Sequence, residues 1–128
     1  MKLFTLLSII CSFTCITNVA CDINKPSKNF KIGNDFRIWY KYNTNTGYFV
    51  AVIECYHPKD WFMIGWGITD TIIDSWVFQV DGDNVTATDS YWPEDLTFPE
   101  PDLDLGGTED LQLLGYLVEE DKTTVKIR

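Results

Sequence analysis

Histidine, methionine and cysteine are scarce in this chain of 128 residues. His57 is the only histidine, and Met63 is the only methionine after Met1. Catalytic zinc or copper sites use two or three His or Cys ligands, so one histidine is too few for either metal. His57 and Asp60 could serve as base and orienting acid, but the sequence has no Gly-x-Ser-x-Gly nucleophile motif. We therefore predict that the protein is not an enzyme.

Basic residues are also few, with 10 Lys and Arg against 19 Asp and Glu and a formal net charge of -9. An acidic chain repels phosphate groups. This balance argues against nucleic acid and anionic membranes as partners, and it favours solubility.

A single long apolar run is present, and it lies at the N-terminus. Met1-Lys2 precedes an apolar stretch from Leu3 to Ile16 that is shorter than the ~20 residues of a membrane helix. Small residues follow up to Ala20, as in a secretory signal peptide. We predict a signal peptide over residues 1–20, an N-terminal arm over 21–35 and a domain over 36–128. The protein is then secreted, extracellular or luminal, with no membrane span after removal of the signal.

Removal of the signal peptide leaves two cysteines, Cys21 and Cys55. In an oxidising compartment they could form one disulfide, or Cys55 could be a buried free thiol. Both alternatives stay open at this stage. Asn84-Val85-Thr86 is an N-glycosylation sequon, which makes Asn84 a candidate glycosylation site.

Helical spacing of apolar residues is not apparent, whereas short alternating runs rich in aromatic and β-branched residues recur. These runs, separated by Gly, Asn, Asp and Pro, predict an all-β antiparallel sandwich. Ser90 to Thr108 is rich in proline and acids and is predicted to be a long surface loop. The predicted strands are Phe36–Tyr42, Tyr48–Cys55, Trp61–Ile68, Ile72–Val80, Val85–Asp89, Glu109–Val118 and Thr123–Arg128. Glu109–Val118 could also contain one helical turn, but Gly115 and the turn that follows favour a strand.

An ordered set of short motifs runs from about Phe36 to Arg128, and it resembles the DOMON domain family. The set comprises Trp61, Gly65-Trp66-Gly67, Asp74, Asp81-Gly82, Asp89-Ser90-Tyr91, Pro101-Asp102, Glu109-Asp110-Leu111 and Thr123 to Arg128. The resemblance implies an immunoglobulin-like sandwich of two antiparallel sheets, secreted or luminal, that binds haem or sugars.

Haem-binding members of that family hold iron with a Met and a His, and two features here differ from them. Asp70 stands where the loop Met would be, and a carboxylate does not replace a thioether in b-type haem ligation. The sequence also ends at Arg128, before the family's further strands, which predicts an open sheet edge along Thr123–Arg128. His57 and Met63 are therefore only a weak alternative as haem ligands, and no cofactor is expected.

An exposed Trp with a neighbouring Asp can stack on a sugar ring and accept hydroxyl hydrogen bonds. Trp61, Trp66 and Trp76 are expected mainly to fill the core. Trp39 shares a face with charged residues, so it should be exposed or cover another element, and Trp92 adjoins the long loop. The candidate ligand-binding residues are Trp39, Trp66, Trp92, Asp74, Asp89 and Asp102.

The carboxylates among these candidates have other possible roles. Asp74 and Asp89 are expected at strand ends, bonded to turn N–H groups. The loop acids (Glu94, Asp95, Glu100, Asp102 and Asp104) could bind calcium, but their spacing is not that of an EF-hand, which favours a solvated loop.

The function predicted from the sequence is a non-catalytic ligand-binding or interaction module. Its partner would be a carbohydrate, a small apolar molecule or an extracellular protein. One alternative is a haem b cytochrome domain that transfers electrons. Another is a structural or adhesion module that pairs through the open sheet edge.

Overall fold

The computed structural model describes residues 23–58, 60–68, 71–92 and 98–128. The predicted signal peptide, Cys21, Asp70 and the loop acids Glu94 and Asp95 lie outside these residues. Among the described residues, no helix is long and apolar enough to cross a membrane.

Nine strands and one short 3-10 helix make up the described part of the chain. The strands are β1 (Lys28–Ile32), β2 (Phe36–Asn43), β3 (Tyr48–Tyr56), β4 (Trp61–Ile68), β5 (Thr71–Asp81), β6 (Asn84–Tyr91), β7 (Glu100–Pro101), β8 (Leu113–Val118) and β9 (Lys122–Ile127). The 3-10 helix is Asp102–Leu105. The predicted Asp-Gly turn joins β5 to β6, where Gly82 has a φ of 57°, in the left-handed region that glycine tolerates.

The strands form two antiparallel sheets, which confirms the predicted all-β sandwich. One sheet has the order β1-β2-β3-β9-β8 and the other has the order β4-β5-β6-β7. The last strand, β9, pairs with both β3 and β8. The prediction of an open edge along Thr123–Arg128 is therefore wrong, because β8 comes back to cover that strand.

Alternate side chains of the two sheets meet in one core. On β2 and β3, Ile38 and Ile53 are cross-strand partners that point inward. On β4 and β5, the rings of Phe62 and Phe78 stack at 4.8 Å between centroids. In β2 and β9, where alternation in the sequence distinguishes two faces, the apolar face is the one that points inward.

The N-terminal arm contacts the outer face of the five-stranded sheet at Glu54 and Trp39. Lys25 reaches from the arm to Glu54 on β3, with 2.6 Å between Nζ and Oε1. The same ammonium lies 4.3 Å from the ring centre of Trp39, and the Arg37 guanidinium lies 4.8 Å from that ring. Trp39 is only 8% exposed, so it covers a second element, as predicted, and is not an accessible stacking surface. The arm also supplies a strand, β1, to this sheet.

The predicted long loop contains more structure than its sequence indicated. β6 extends to Tyr91, the short strand β7 pairs with it through Glu100 and Pro101, and the 3-10 helix follows directly. The region from Leu113 is a strand, as predicted, but Glu109 to Gln112 is not.

Of the two alternatives left open by the sequence, the structure has Cys55 as a buried free thiol, and Cys21 lies outside the described residues. Its side chain belongs to the inward face of β3 and is packed in the core. Burial, with a smaller contribution from the negative charge of Asp35, raises the pKa of the Cys55 thiol to about 11. Since the thiolate is the reactive form, the thiol should be inert at neutral pH.

We expect Cys55 in the native protein to react with a thiol reagent far more slowly than after unfolding in guanidinium. The measurement is a spectrophotometric thiol titration of native and denatured protein, with Cys55→Ser identifying the slow thiol. Rapid reaction of Cys55 in the native protein would contradict the buried thiol. Absence of any free thiol after non-reducing denaturation would instead support the predicted disulfide.

Candidate functional site at one end of the sandwich

A row of aromatic side chains crosses one end of the sandwich from the first sheet to the second. Its members contact each other in sequence: Phe30, Tyr40, Phe49, Trp76 and Trp66. Ring centroids of consecutive members are 5.9, 5.9, 6.3 and 4.5 Å apart. We call this set the aromatic row.

Trp66 ends the aromatic row on β4 and is 42% exposed. Its expected place in the core is therefore wrong, and so is that of Trp61, which is 48% exposed at the other end of the strand. Trp66 does point inward, but it lies where the two sheets open to solvent. Trp76 is partly buried, and Phe49 and Phe30 are exposed. Trp92 directly follows β6 at this same end and is partly buried.

Three aspartates lie next to the aromatic row, and we call them the acidic triad: Asp74, Asp89 and Asp102. Asp74 is the cross-strand partner of Trp66, and Asp89 is the partner of Trp76. Asp102 comes from the 3-10 helix that follows β7. One carboxylate oxygen from each lies within 4.8 Å of the other two. The sequence proposed all three as candidate site residues, and the structure brings them together.

Two of these carboxylates hold buried oxygens that lack a partner. Oδ1 of Asp74 and Oδ1 of Asp102 are buried, and neither has a hydrogen-bond donor in the described part of the chain. Asp89 is 7% exposed and accepts one hydrogen bond at Oδ2 from the Asp110 N–H, 3.0 Å away. Buried carboxylates with so few donors are costly unless something else satisfies them.

The electrostatics of the acidic triad reflect this arrangement. Burial raises the pKa of Asp89, and the charges of Asp74 and Asp102 add to the rise, although the Asp110 N–H opposes it. Burial also raises the pKa of Asp102, and the charges of Asp74 and Asp110 add to it. Like charges and desolvation thus both disfavour three ionised carboxylates at this place.

The backbone after the 3-10 helix fixes the position of Asp102. The Gly107 N–H donates to the carbonyl oxygen of Asp102 at 2.7 Å. A Cβ on Gly107 would lie 3.0 Å from that oxygen and 3.2 Å from the Asp102 Cβ, so a side chain there would push Asp102 out of its present position. The missing side chain at Gly107 allows this close return of the chain.

The remaining candidates lie elsewhere. His57 is exposed in the loop after β3, and its N–H donates to the Asp121 carbonyl at 2.7 Å. Met63 lies between the inward-facing Phe62 and Ile64, so it belongs to the outer face of β4. Asn84 is exposed at the β5–β6 turn, and its Oδ1 accepts a hydrogen bond from the Tyr116 hydroxyl.

The fold defines the class of protein as an antiparallel two-sheet β-sandwich. Comparison with known proteins adds nothing more specific, because no protein-family model, no curated protein and no solved structure matches the chain.

Proposed function

We propose that this protein is a non-catalytic, secreted ligand-binding module of the DOMON type that binds carbohydrate along the aromatic row. The observation that carries the proposal is the continuous set of exposed or half-buried rings that ends on Trp66. Apolar faces of sugar rings stack on aromatic side chains, and a row of rings provides several such faces in succession. A glycan chain, which repeats its sugar rings, fits a row better than a single small apolar molecule does.

Polar groups beside the row suit the hydroxyl groups of a sugar. Asn43 ends β2, and Asn45 lies in the turn that joins it to β3 at this end of the sandwich. Binding sites of this kind combine an apolar surface with a small number of polar groups that set orientation.

The haem alternative receives no support from the positions of its candidate ligands. Met63 belongs to the outer face of β4, whereas His57 lies in the loop after β3. Two axial ligands must approach the iron from opposite sides of one flat pocket. A haemin titration with no saturable Soret band is the expected result for this protein.

Replacing Trp66 with alanine is expected to weaken glycan binding about tenfold, since one ring stack is worth roughly 1.4 kcal/mol. The measurement is a glycan-array screen of the purified protein, followed by titration with the best glycan. Trp61→Ala is the matched control, because Trp61 is an equally exposed Trp on the same strand but lies outside the aromatic row. Equal losses in the two variants, or no glycan bound by the parent protein, would reject the proposal.

A further inference from the structure

The acidic triad carries a second inference, which does not depend on the carbohydrate proposal. We propose that Asp74, Asp89 and Asp102 bind one calcium ion. The ion would tie β5 and β6 to the 3-10 helix after β7, and so would fix this end of the four-stranded sheet.

Distance is the first argument. Calcium binds oxygen ligands at 2.3–2.6 Å, so two oxygens on one ion can be at most about 5.2 Å apart. The three ligand oxygens of the acidic triad all lie within 4.8 Å of one another. The three oxygens are therefore close enough to be ligands of a single ion once their side chains close in on it.

The buried oxygens without partners are the second and independent argument. Oδ1 of Asp74 and Oδ1 of Asp102 are shielded from water, and within the described ranges no N–H or O–H group reaches them. The Asp110 N–H satisfies only Oδ2 of Asp89. A cation would satisfy these oxygens at once, whereas a solvated acidic loop, the interpretation favoured from sequence, would leave all of them in water.

The donor set selects the metal. Three carboxylates and no histidine or thiol provide hard oxygen ligands, which suit calcium or magnesium rather than zinc or copper. Calcium takes six to eight oxygens, and the second carboxylate oxygens and water can complete that number. Magnesium demands a stricter octahedral geometry and retains more water, so three carboxylates from separate elements favour calcium. Extracellular modules hold calcium with dissociation constants of about 10⁻⁴–10⁻³ M, and we expect that range here.

Terbium provides a direct probe, because it replaces calcium and its luminescence is sensitised by a nearby tryptophan. Trp76 and Trp66 are the cross-strand partners of Asp89 and Asp74. We expect saturable terbium luminescence on excitation of tryptophan, displaced by calcium and only weakly by magnesium. Calcium should also raise the melting temperature above that measured in EDTA. Trp66→Ala should keep its calcium response, so failure of carbohydrate binding and failure of calcium binding are distinguishable.

Asp89→Asn and Asp102→Asn are the test variants, and Asp104→Asn, on an exposed residue of the same 3-10 helix, is the matched control. Both test variants should lose at least tenfold in calcium affinity, and the control should not. In EDTA, Asp89→Asn should be at least as stable as the parent, since the amide oxygen still accepts from Asp110 and one like charge is removed. In calcium, Asp89→Asn should be less stable than the parent, because it binds the ion more weakly. A side chain with a purely structural role would lower the stability both in calcium and in EDTA.

Three results would overturn the proposal. The first is a melting temperature that calcium does not change, together with absent terbium luminescence. In that case the three carboxylates are accommodated by protonation and not by a metal ion. The second is equal calcium affinity in the parent and in both test variants. The third is an Asp89→Asn protein that is less stable than the parent in EDTA, with Asp102→Asn binding calcium normally, which would assign the acidic triad a structural role.

Discussion

Phe78→Ala is expected to lower the free energy of unfolding by about 3–5 kcal/mol, the usual cost of removing a fully buried aromatic ring. Phe78 is 0% exposed at the centre of β5. Its ring stacks on Phe62, and its cross-strand neighbour on β6 is the small Ala87, which cannot fill the space that is left. The variant therefore loses both buried apolar area and a ring contact.

Urea unfolding of the purified protein, followed by tryptophan fluorescence, measures this loss. Phe98→Ala is the control, because Phe98 is 67% exposed and its truncation should change stability by less than about 0.5 kcal/mol. Similar stability of the two variants would mean that the two sheets do not pack through Phe78.

The strands and the architecture could be predicted from the sequence because period-two alternation and turn residues are local signals. Alternation, for example, groups Ile38 with Phe36 and Tyr40 on one face of β2, and this face is the inward one. Alternation shows on which face of the sheet a side chain lies. It does not show whether that position is in the middle of the sandwich, at its open end or under another segment. Trp66 is on the inward face and yet is exposed, since it lies at the open end of the sandwich. Trp39 is on the outward face and yet is buried, because the N-terminal arm covers it.

The candidate site was predictable only in part. Asp74, Asp89 and Asp102 were named as candidates from the sequence, but as strand-end acids and a loop acid with separate roles. Their convergence depends on the register of β5 against β6 and on the short pairing of β7 with β6. These are pairings between residues far apart in the chain, and no local pattern encodes them. Gly107 also carried no signal, because its role is a close approach to Asp102 that appears only in the folded chain.

The two proposals place different functions at the same end of the sandwich. The aromatic row is formed by β1, β2 and β3 of one sheet together with β4 and β5 of the other. The acidic triad lies on β5, on β6 and just after β7, so β5 belongs to both sites. An ion that holds the 3-10 helix against β6 would also steady β5, and with it Trp76 in the middle of the aromatic row. Glycan affinity measured in calcium and in EDTA would show how strongly the two sites are coupled.

On the outer face of the five-stranded sheet, Glu54 is a buried carboxylate with several partners. It is buried near the C-terminal end of β3 and contacts Lys25, Lys122 and the Tyr56 hydroxyl. Burial alone would raise the pKa of Glu54, but the hydrogen bonds from Lys25 and Tyr56 and the charges of both lysines outweigh it and hold the pKa below its ordinary value. Glu54 therefore contributes stability above its ordinary pKa, and that stability is lost as the pH falls through the lowered folded pKa.

Removing the two lysines that contact Glu54 should lower the free energy of unfolding more than removing the Glu54 carboxylate. In Lys25→Met/Lys122→Met, Glu54 remains buried with only Tyr56 among its described partners, and we expect a loss of about 3–5 kcal/mol at neutral pH. In Glu54→Gln the two lysines, both partly exposed, can turn to water, so a loss of about 1–3 kcal/mol is expected.

Urea unfolding at several pH values tests which variant loses more stability and in which direction each stability changes with pH. As the pH falls, the parent should lose stability relative to Glu54→Gln. The double variant should instead gain stability relative to Glu54→Gln, because an unpaired buried carboxylate has a raised pKa and becomes less costly once it is protonated. Lys31→Met, a change of an exposed lysine on β1, controls for the loss of positive charge alone. If the double variant is no less stable than Glu54→Gln, the lysines do not stabilise Glu54.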